Sequence, residues 1–316
     1  MQKPLKILVV RFSSIGDIVL TSPIVRCLKQ QLSAEVHFIT KNLYKTIVNN
    51  NPHIDKVYSI NSSTNEVLNG LKNEKYDYLI DLHNNIRSFQ LRTVADNYLS
   101  YNKQNFKKFL LVKFGIDMLN NKHTVDRYYD TVSSLGIKPD GVGLDFFLDE
   151  KDIVDIGIYN SEYISFAIGG THFTKILPIG KIIEICNHQD KQVILVGGKE
   201  DFDRGERIAA QCDNVINTCG DFTLNQAAYI VKNSNFLITH DTGMMHIAAA
   251  FKMKIISVFG GTHPQLGFTP YLPNPNNKII QIENLNCRPC HRYGKSKCPK
   301  NHFKCMKDID VSLFRK

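Results

Sequence analysis

Short apolar runs separated by helix-length amphipathic stretches set the plan of this chain. LKILVV near the N-terminus reads as a strand, and RFSSIG as the loop after it. From Asp17 onward, Ile18, Ile24, Val25, Leu28 and Leu32 fall largely on one helical face. EVHFIT, KVYSI and YDYLIDL read as further strands, with a helical pattern over residues 43–48. The second half repeats the scheme. YISFAI, QVILVGG, NVIN, NFLITH and KIISVFGG are strand candidates, and helices are expected over 179–188, 204–211, 224–232 and 243–251. Most of these strands are continuous apolar runs, as parallel strands covered on both faces should be. Strands alternating with helices indicate βαβ units. The expected fold is α/β, two doubly wound lobes facing a cleft, with a Pro-, Gly- and Asp-bearing linker near residues 138–160.

The 316 residues suffice for two lobes, each with its own core. No apolar run approaches the roughly 18 residues of a membrane span. The run ILVV is cut short by Arg11 and fails as a signal-peptide core, so the expected location is the cytoplasm. Neither lobe carries GxGxxG, which counts against an NAD-dependent oxidoreductase. The net charge of +9 calls for an acidic partner: nucleic acid, an anionic membrane surface or a phosphorylated substrate. The stretch 87–127 is rich in Lys and Arg and carries Tyr101, Phe106, Phe109 and Phe114. It suits either a membrane headgroup zone or a solvated helix face.

Three motifs sit where strands should hand over to helices. In RFSSIGDIVLTSP, Ser13, Ser14 and Gly16 permit a tight turn, and Asp17 opens a helix. The helix dipole and free N–H groups favour its charged form; it is either a functional carboxylate or an N-cap. A low pKa handicaps a base, which works best near the ambient pH. In GGTHFTKILP, Gly169 and Gly170 would let backbone approach a ligand, Thr171 offers a hydroxyl, and Lys175 a compact cation, unless that lysine is simply solvated. In THDTGMMHIAAA, Asp241, Thr242 and Gly243 open a helix whose N–H groups could take a diphosphate. His246 lies about one turn on, as a ligand-site or a core histidine.

These motifs, in this order, resemble the lipopolysaccharide heptosyltransferase family. The resemblance implies a GT-B architecture of two Rossmann-like domains, an acceptor-binding domain over 1–150 and a nucleotide-sugar-binding domain over 151–316. It implies an inverting glycosyltransferase, moving heptose from ADP-heptose to a lipopolysaccharide inner-core acceptor. Asp17 would be the catalytic base, with Ser14 and Gly16 beside it. Lys175, with Thr171 nearby, would hold the diphosphate, and Asp241, Thr242, Gly243 and His246 match the family's DTGxxH signature. DLHNNIRS, with Asp81, Asn85 and Arg87, resembles the acceptor-side segment. Leu177 stands where an aromatic residue often precedes the proline, and Asn217 lies near where some members have a ribose-binding glutamate. No metal or other cofactor is required in such a scheme, and no nucleic-acid partner is expected. Contact with the inner face of the inner membrane would be peripheral. The alternatives are another nucleotide sugar and glycolipid, or a non-catalytic zinc- or nucleic-acid-binding protein.

Cys287, Cys290, Cys298 and Cys305 form a C-x2-C-x7-C-x6-C array with His291 and His302 between them. Structural zinc, reduced thiols and an oxidised pair all fit that spacing. Two DxD strings, at Asp201/Asp203 and Asp308/Asp310, read as acids near helix starts rather than metal ligands.

Overall fold

The computed structural model describes residues 3–119, 121–155 and 162–314. Its contacts divide the chain into two units. Residues 1–104 and 122–147 make the first; residues 105–121 and 148–316 make the second. The last crossing between the units falls between residues 147 and 148, and 105–121 packs with the second unit.

In the first unit five parallel strands run β1 (Lys6–Val10), β2 (Glu35–Lys41), β3 (Lys56–Ile60), β4 (Tyr76–Asp81) and β5 (Ala95–Ser100). Their spatial order is β3-β2-β1-β4-β5. Central β1 is an unbroken apolar run because neighbours and helices cover it: Ile7, Leu8, Val9 and Val10 are fully buried. Edge strand β5, ADNYLS, was not expected. Its side chains are half-buried or exposed, so it carries no apolar run to read.

The single helix expected after β1 is two, Ile15–Val19 and Ser22–Leu32. Pro23 has no N–H for the Val19 carbonyl, and the Ser22 hydroxyl donates to it instead, at 2.7 Å. Ile18, Ile24, Val25 and Leu28 still face the core. The expected linker is largely fastened down. Buried Arg26 forks onto Asp140 at 2.7 and 3.0 Å and also pairs with Asp145, and Gln31 exchanges two hydrogen bonds with Lys138. Its positions 156–160 lie outside the described residues.

The second unit holds β6 (Tyr163–Ala167), β7 (Gln192–Val196), β8 (Val215–Asn217), β9 (Leu237–His240), β10 (Ile255–Val258) and β11 (Lys278–Ile280). All pair in parallel, in the order β11-β10-β9-β6-β7-β8. Helices Ile179–Asn187, Phe202–Ala209, Leu224–Lys232 and Gly243–Ala250 match the expected ones within a turn. The C-terminal segment completes this core through Phe303, Cys305, Met306, Ile309 and Phe314.

Both sheets have the same topology: the unit's first strand lies centrally, and strand order reverses beside it. That reversal falls between β1 and β4 in the first unit and between β6 and β9 in the second. Open α/β sheets bind ligands outside the carboxyl ends of the strands at this point.

Candidate active site

In the first unit, Arg11–Asp17 follows β1 and Leu82–Arg87 follows β4, so both segments flank the switch point. Asp17 is the third residue of helix Ile15–Val19, and its Oδ2 accepts from the Ser14 N–H at 3.2 Å and the Ser14 hydroxyl at 3.1 Å. Ser14, not Asp17, is thus the N-cap, with Asp17 reaching back to it from N3, and the Asp17 side chain keeps 25% of its surface open. The guanidinium of Arg11 lies 2.8 Å from the same oxygen. Burial pushes the Asp17 pKa up, but the Arg11 charge and the Ser14 hydrogen bonds outweigh it and hold the carboxyl below its ordinary value. Arg11 is itself fixed by the carbonyls of Ser13 at 2.8 Å and Leu82 at 2.6 Å, and it approaches the Tyr128 hydroxyl at 3.2 Å.

Arg11 escaped the sequence reading because two of the partners that fix it, Leu82 and Tyr128, are distant in sequence. So did His83, whose ring meets Phe12 edge-on at 5.2 Å and whose Nδ1 is buried without a hydrogen-bond partner. Burial, then the charges of Arg11 and Lys103, lowers its pKa to about 3.

The acceptor-side expectations fare unevenly. Asp81 is fully buried, and both oxygens are engaged: Oδ1 by the N–H groups of His83 and Asn84, Oδ2 by the Tyr98 hydroxyl at 2.8 Å. It shapes the turn after β4 and has no oxygen left for a ligand, which corrects its assignment as a substrate contact. Asn85 caps helix Ile86–Phe89 by accepting from Ser88 N–H at 2.8 Å and is otherwise exposed. Arg87, half-buried, makes no ion pair among the described residues.

In the second unit, Lys175 lies in the loop after β6 and Asp241 directly after β9, so they meet at the switch point. Lys175 Nζ sits 2.9 Å from Asp241 Oδ2, which also accepts from the Thr262 hydroxyl at 2.8 Å. Thr242 is the N-cap of helix Gly243–Ala250, but its side chain accepts no capping hydrogen bond, so the first N–H groups of that helix keep their anion-binding capacity. Thr171 is exposed. A Cβ at Gly169 would meet Asp201 Oδ2 at 2.3 Å, so the Asp201 side chain would have to shift to admit one. His246 is only 4% exposed, within the buried side of helix Gly243–Ala250.

His240, at the end of β9, fixes the lysine loop. Its Nε2 accepts from the Leu177 N–H at 3.0 Å, and burial, with Arg204 and Lys175 nearby, lowers its pKa to about 3. His83 and His240 are thus neutral when folded but titrate near 6.5 when unfolded. Their contribution to stability is complete above about pH 6.5 and erodes as pH falls toward 3, by up to about 1.4 kcal/mol per pH unit each. Melting temperature is expected to drop steadily from pH 7 to pH 5, and less so in His240→Gln; an unchanged slope in that variant would refute the assignment.

The Cys-rich segment buttresses the same loop. Thr174 N–H donates to Lys295 O at 3.1 Å, Lys295 N–H to the Thr174 hydroxyl at 2.7 Å, and Gly294, with φ of +97°, lies against His172 and Lys175. Arg288 donates to the carbonyls of Phe259, Gly260, Thr262 and Ile282 and so pins the Cys287–Cys290 turn beyond β10. Cys287 Sγ is 3.7 Å from His302 Nε2, while Cys305 is buried in the core, which pushes its thiol up to about 12. Among the described residues, only Glu35, His37 and Glu74 bring three possible metal donors within 4.8 Å of one another. Lys6, Lys56 and Tyr58 already occupy those carboxylates. Of the DxD acids, Asp201 stands at the N-cap position of helix Phe202–Ala209 without a side-chain cap and pairs with Arg204 at 3.0 Å, an acid near a helix start as expected. Asp308 instead ends helix Lys304–Lys307, a correction.

Solved structures share this fold over nearly the whole chain. A glycosyl transferase of family 9 from Veillonella parvula superposes with a TM-score of 0.77 at 19% identity, covering 99% of this chain and 96% of that one. Escherichia coli heptosyltransferase WaaC with ADP-2-deoxy-2-fluoro heptose gives 0.69 at 18% identity, covering 95% and 96%. The architecture is that of a GT-B glycosyltransferase, with two Rossmann-like domains. Lipopolysaccharide heptosyltransferase 1 of Campylobacter coli is 22% identical over 291 residues, covering 82% of this chain and 84% of the relative. Lipooligosaccharide heptosyltransferase 2 of Campylobacter jejuni is 35% identical over 97 residues, covering 30% of this chain and 28% of its own. The profile of glycosyltransferase family 9 (heptosyltransferase) matches residues 65–300, and the chain belongs to that family.

Proposed function

We propose that the chain moves heptose from ADP-heptose to a hydroxyl of a lipopolysaccharide core acceptor, with inversion, at the cytoplasmic side of the inner membrane. The observation that carries the donor half is the Lys175–Asp241 pair set across the switch point of the second unit, beside an uncapped helix N-terminus. A lysine and free N–H groups at one point are a seat for a diphosphate. The relative crystallised with an ADP-heptose analogue and the heptosyltransferase names of the relatives support the choice of donor.

The acceptor half rests on Asp17, the quarter-open carboxylate at the first unit's switch point. The acceptor oxygen forms its bond to the anomeric carbon, the bond from that carbon to the diphosphate oxygen breaks, and ADP leaves with the electron pair. Asp17 takes the acceptor proton. A carboxyl held below its ordinary pKa is a weak base, so the proton transfers late, when the attacking oxygen has become acidic. Lys175 and the helix Gly243–Ala250 neutralise the departing ADP, and the scheme calls for no metal. Lys175 is here a group that touches the donor, and in this scheme Thr171 and Thr242 would hydrogen-bond the same phosphates.

The test is donor turnover with a panel of ADP- and UDP-sugars and a heptose-deficient lipopolysaccharide acceptor. Consumption of ADP-heptose with appearance of a heptosylated product is the expected result. Turnover of a UDP-sugar in its place would overturn the donor assignment.

A further inference from the structure

Helix Asn105–Phe114, sequence NFKKFLLVKF, presents two very different sides. Its inner side belongs to the second unit. Leu111 packs with Leu119, Leu266 and Phe268, buried Lys108 lies 5.0 Å over the Phe268 ring, and Arg292 donates to Asn105 Oδ1 at 2.8 Å. Its outer side is apolar and open: Phe106 is 71% exposed, Phe109 54% and Phe114 61%, with Ile116 and Met118 continuing the patch. Exposed hydrophobic residues scattered singly need no explanation, but a contiguous run on an anchored helix marks an interaction surface.

The charge pattern selects the partner. The helix contains no Asp or Glu, and Lys107 and Lys113 stand among the phenylalanines without an ion-pair partner among the described residues. A second copy docked by two-fold symmetry would oppose these lysines to themselves, with only Asp117 nearby to offset them. An anionic bilayer meets both features, since aromatic rings enter the headgroup boundary while lysines remain at the phosphates. We propose that the outer side of Asn105–Phe114, extended by Ile116 and Met118, docks the protein on an anionic phospholipid surface. No helix among the described residues is long and apolar enough to cross a membrane, so the contact is peripheral. This deepens the proposed function, in which the glycolipid acceptor is itself held in a bilayer. It is tested by partition rather than turnover and so stands or falls separately.

The experiment is co-sedimentation of the full chain with vesicles of phosphatidylcholine containing phosphatidylglycerol, and with phosphatidylcholine alone, at low and high salt. Wild type is expected to sediment with the anionic vesicles at low salt and to be released by high salt. Lys107→Gln/Lys113→Gln is expected to weaken partition about 25-fold, near fivefold per lysine. Phe106→Ser/Phe109→Ser/Phe114→Ser is expected to lose at least about tenfold more while keeping the wild-type melting temperature, because these side chains support no core. Wild type that stays in solution with anionic vesicles overturns the proposal. So does a serine variant that sediments like wild type, or one that differs only by losing a protein dimer in ultracentrifugation.

Discussion

Asp17→Asn is expected to lower kcat by about three orders of magnitude, within the range that a positioned general base contributes, while the donor Kd stays within about twofold. Asparagine fills the same space and can still accept from Ser14, so the helix start survives. What is lost is the ability to take a proton and the charge facing Arg11, 2.8 Å away. Arg11 is 8% exposed, and removing the partner of a buried cation destabilises a protein by a few kcal/mol, less here because Asp17 is partly open. A melting curve must therefore accompany the kinetics, and rates should be compared well below the lower of the two midpoints. If Asp17→Asn, folded and binding donor, turns over within tenfold of wild type, Asp17 is not the base. Half-buried His83, whose Nδ1 lacks a hydrogen-bond partner, would then be the next group to replace.

The parts of this arrangement that sequence reveals are those carried by local pattern. β3 and helix Leu224–Lys232 fall where expected because KVYSI is bounded by polar turns and Thr223 with Gln226 forms a capping box. β5 and β11 stayed hidden because edge strands need no apolar run, and helix Thr124–Val132 because no clear start signal precedes it. Asp17, Lys175 and Asp241 were legible because each follows a readable strand, which puts it at the carboxyl end of a sheet. Their partners were not. Arg11 is held by Leu82 and Tyr128, 71 and 117 residues away, and such pairings exist only after the sheet forms. Asp81 shows the opposite case, since a motif fixes residue type but not whether folding closes the side chain off.

Lys175→Ala is expected to weaken donor binding about 100-fold and to lower kcat as well, since the diphosphate gains charge as it departs. The size follows from losing a charge-assisted contact of about 1.5–3 kcal/mol in a partly desolvated site. Part of that loss has a second origin. Asp241 is 6% exposed and shares its Oδ2 between Lys175 and the Thr262 hydroxyl. Without the lysine, its carboxylate is left unbalanced beside the helix N-terminus and opposes the incoming diphosphate. Lys175→Ala/Asp241→Asn should therefore bind ADP about tenfold more tightly than Lys175→Ala alone, although it lacks one more native side chain. Calorimetric titration of ADP into wild type and the two single and one double variant measures this coupling directly. Strictly additive losses would mean that the two residues act independently, and that the ion pair at the switch point does not regulate the charge the donor meets.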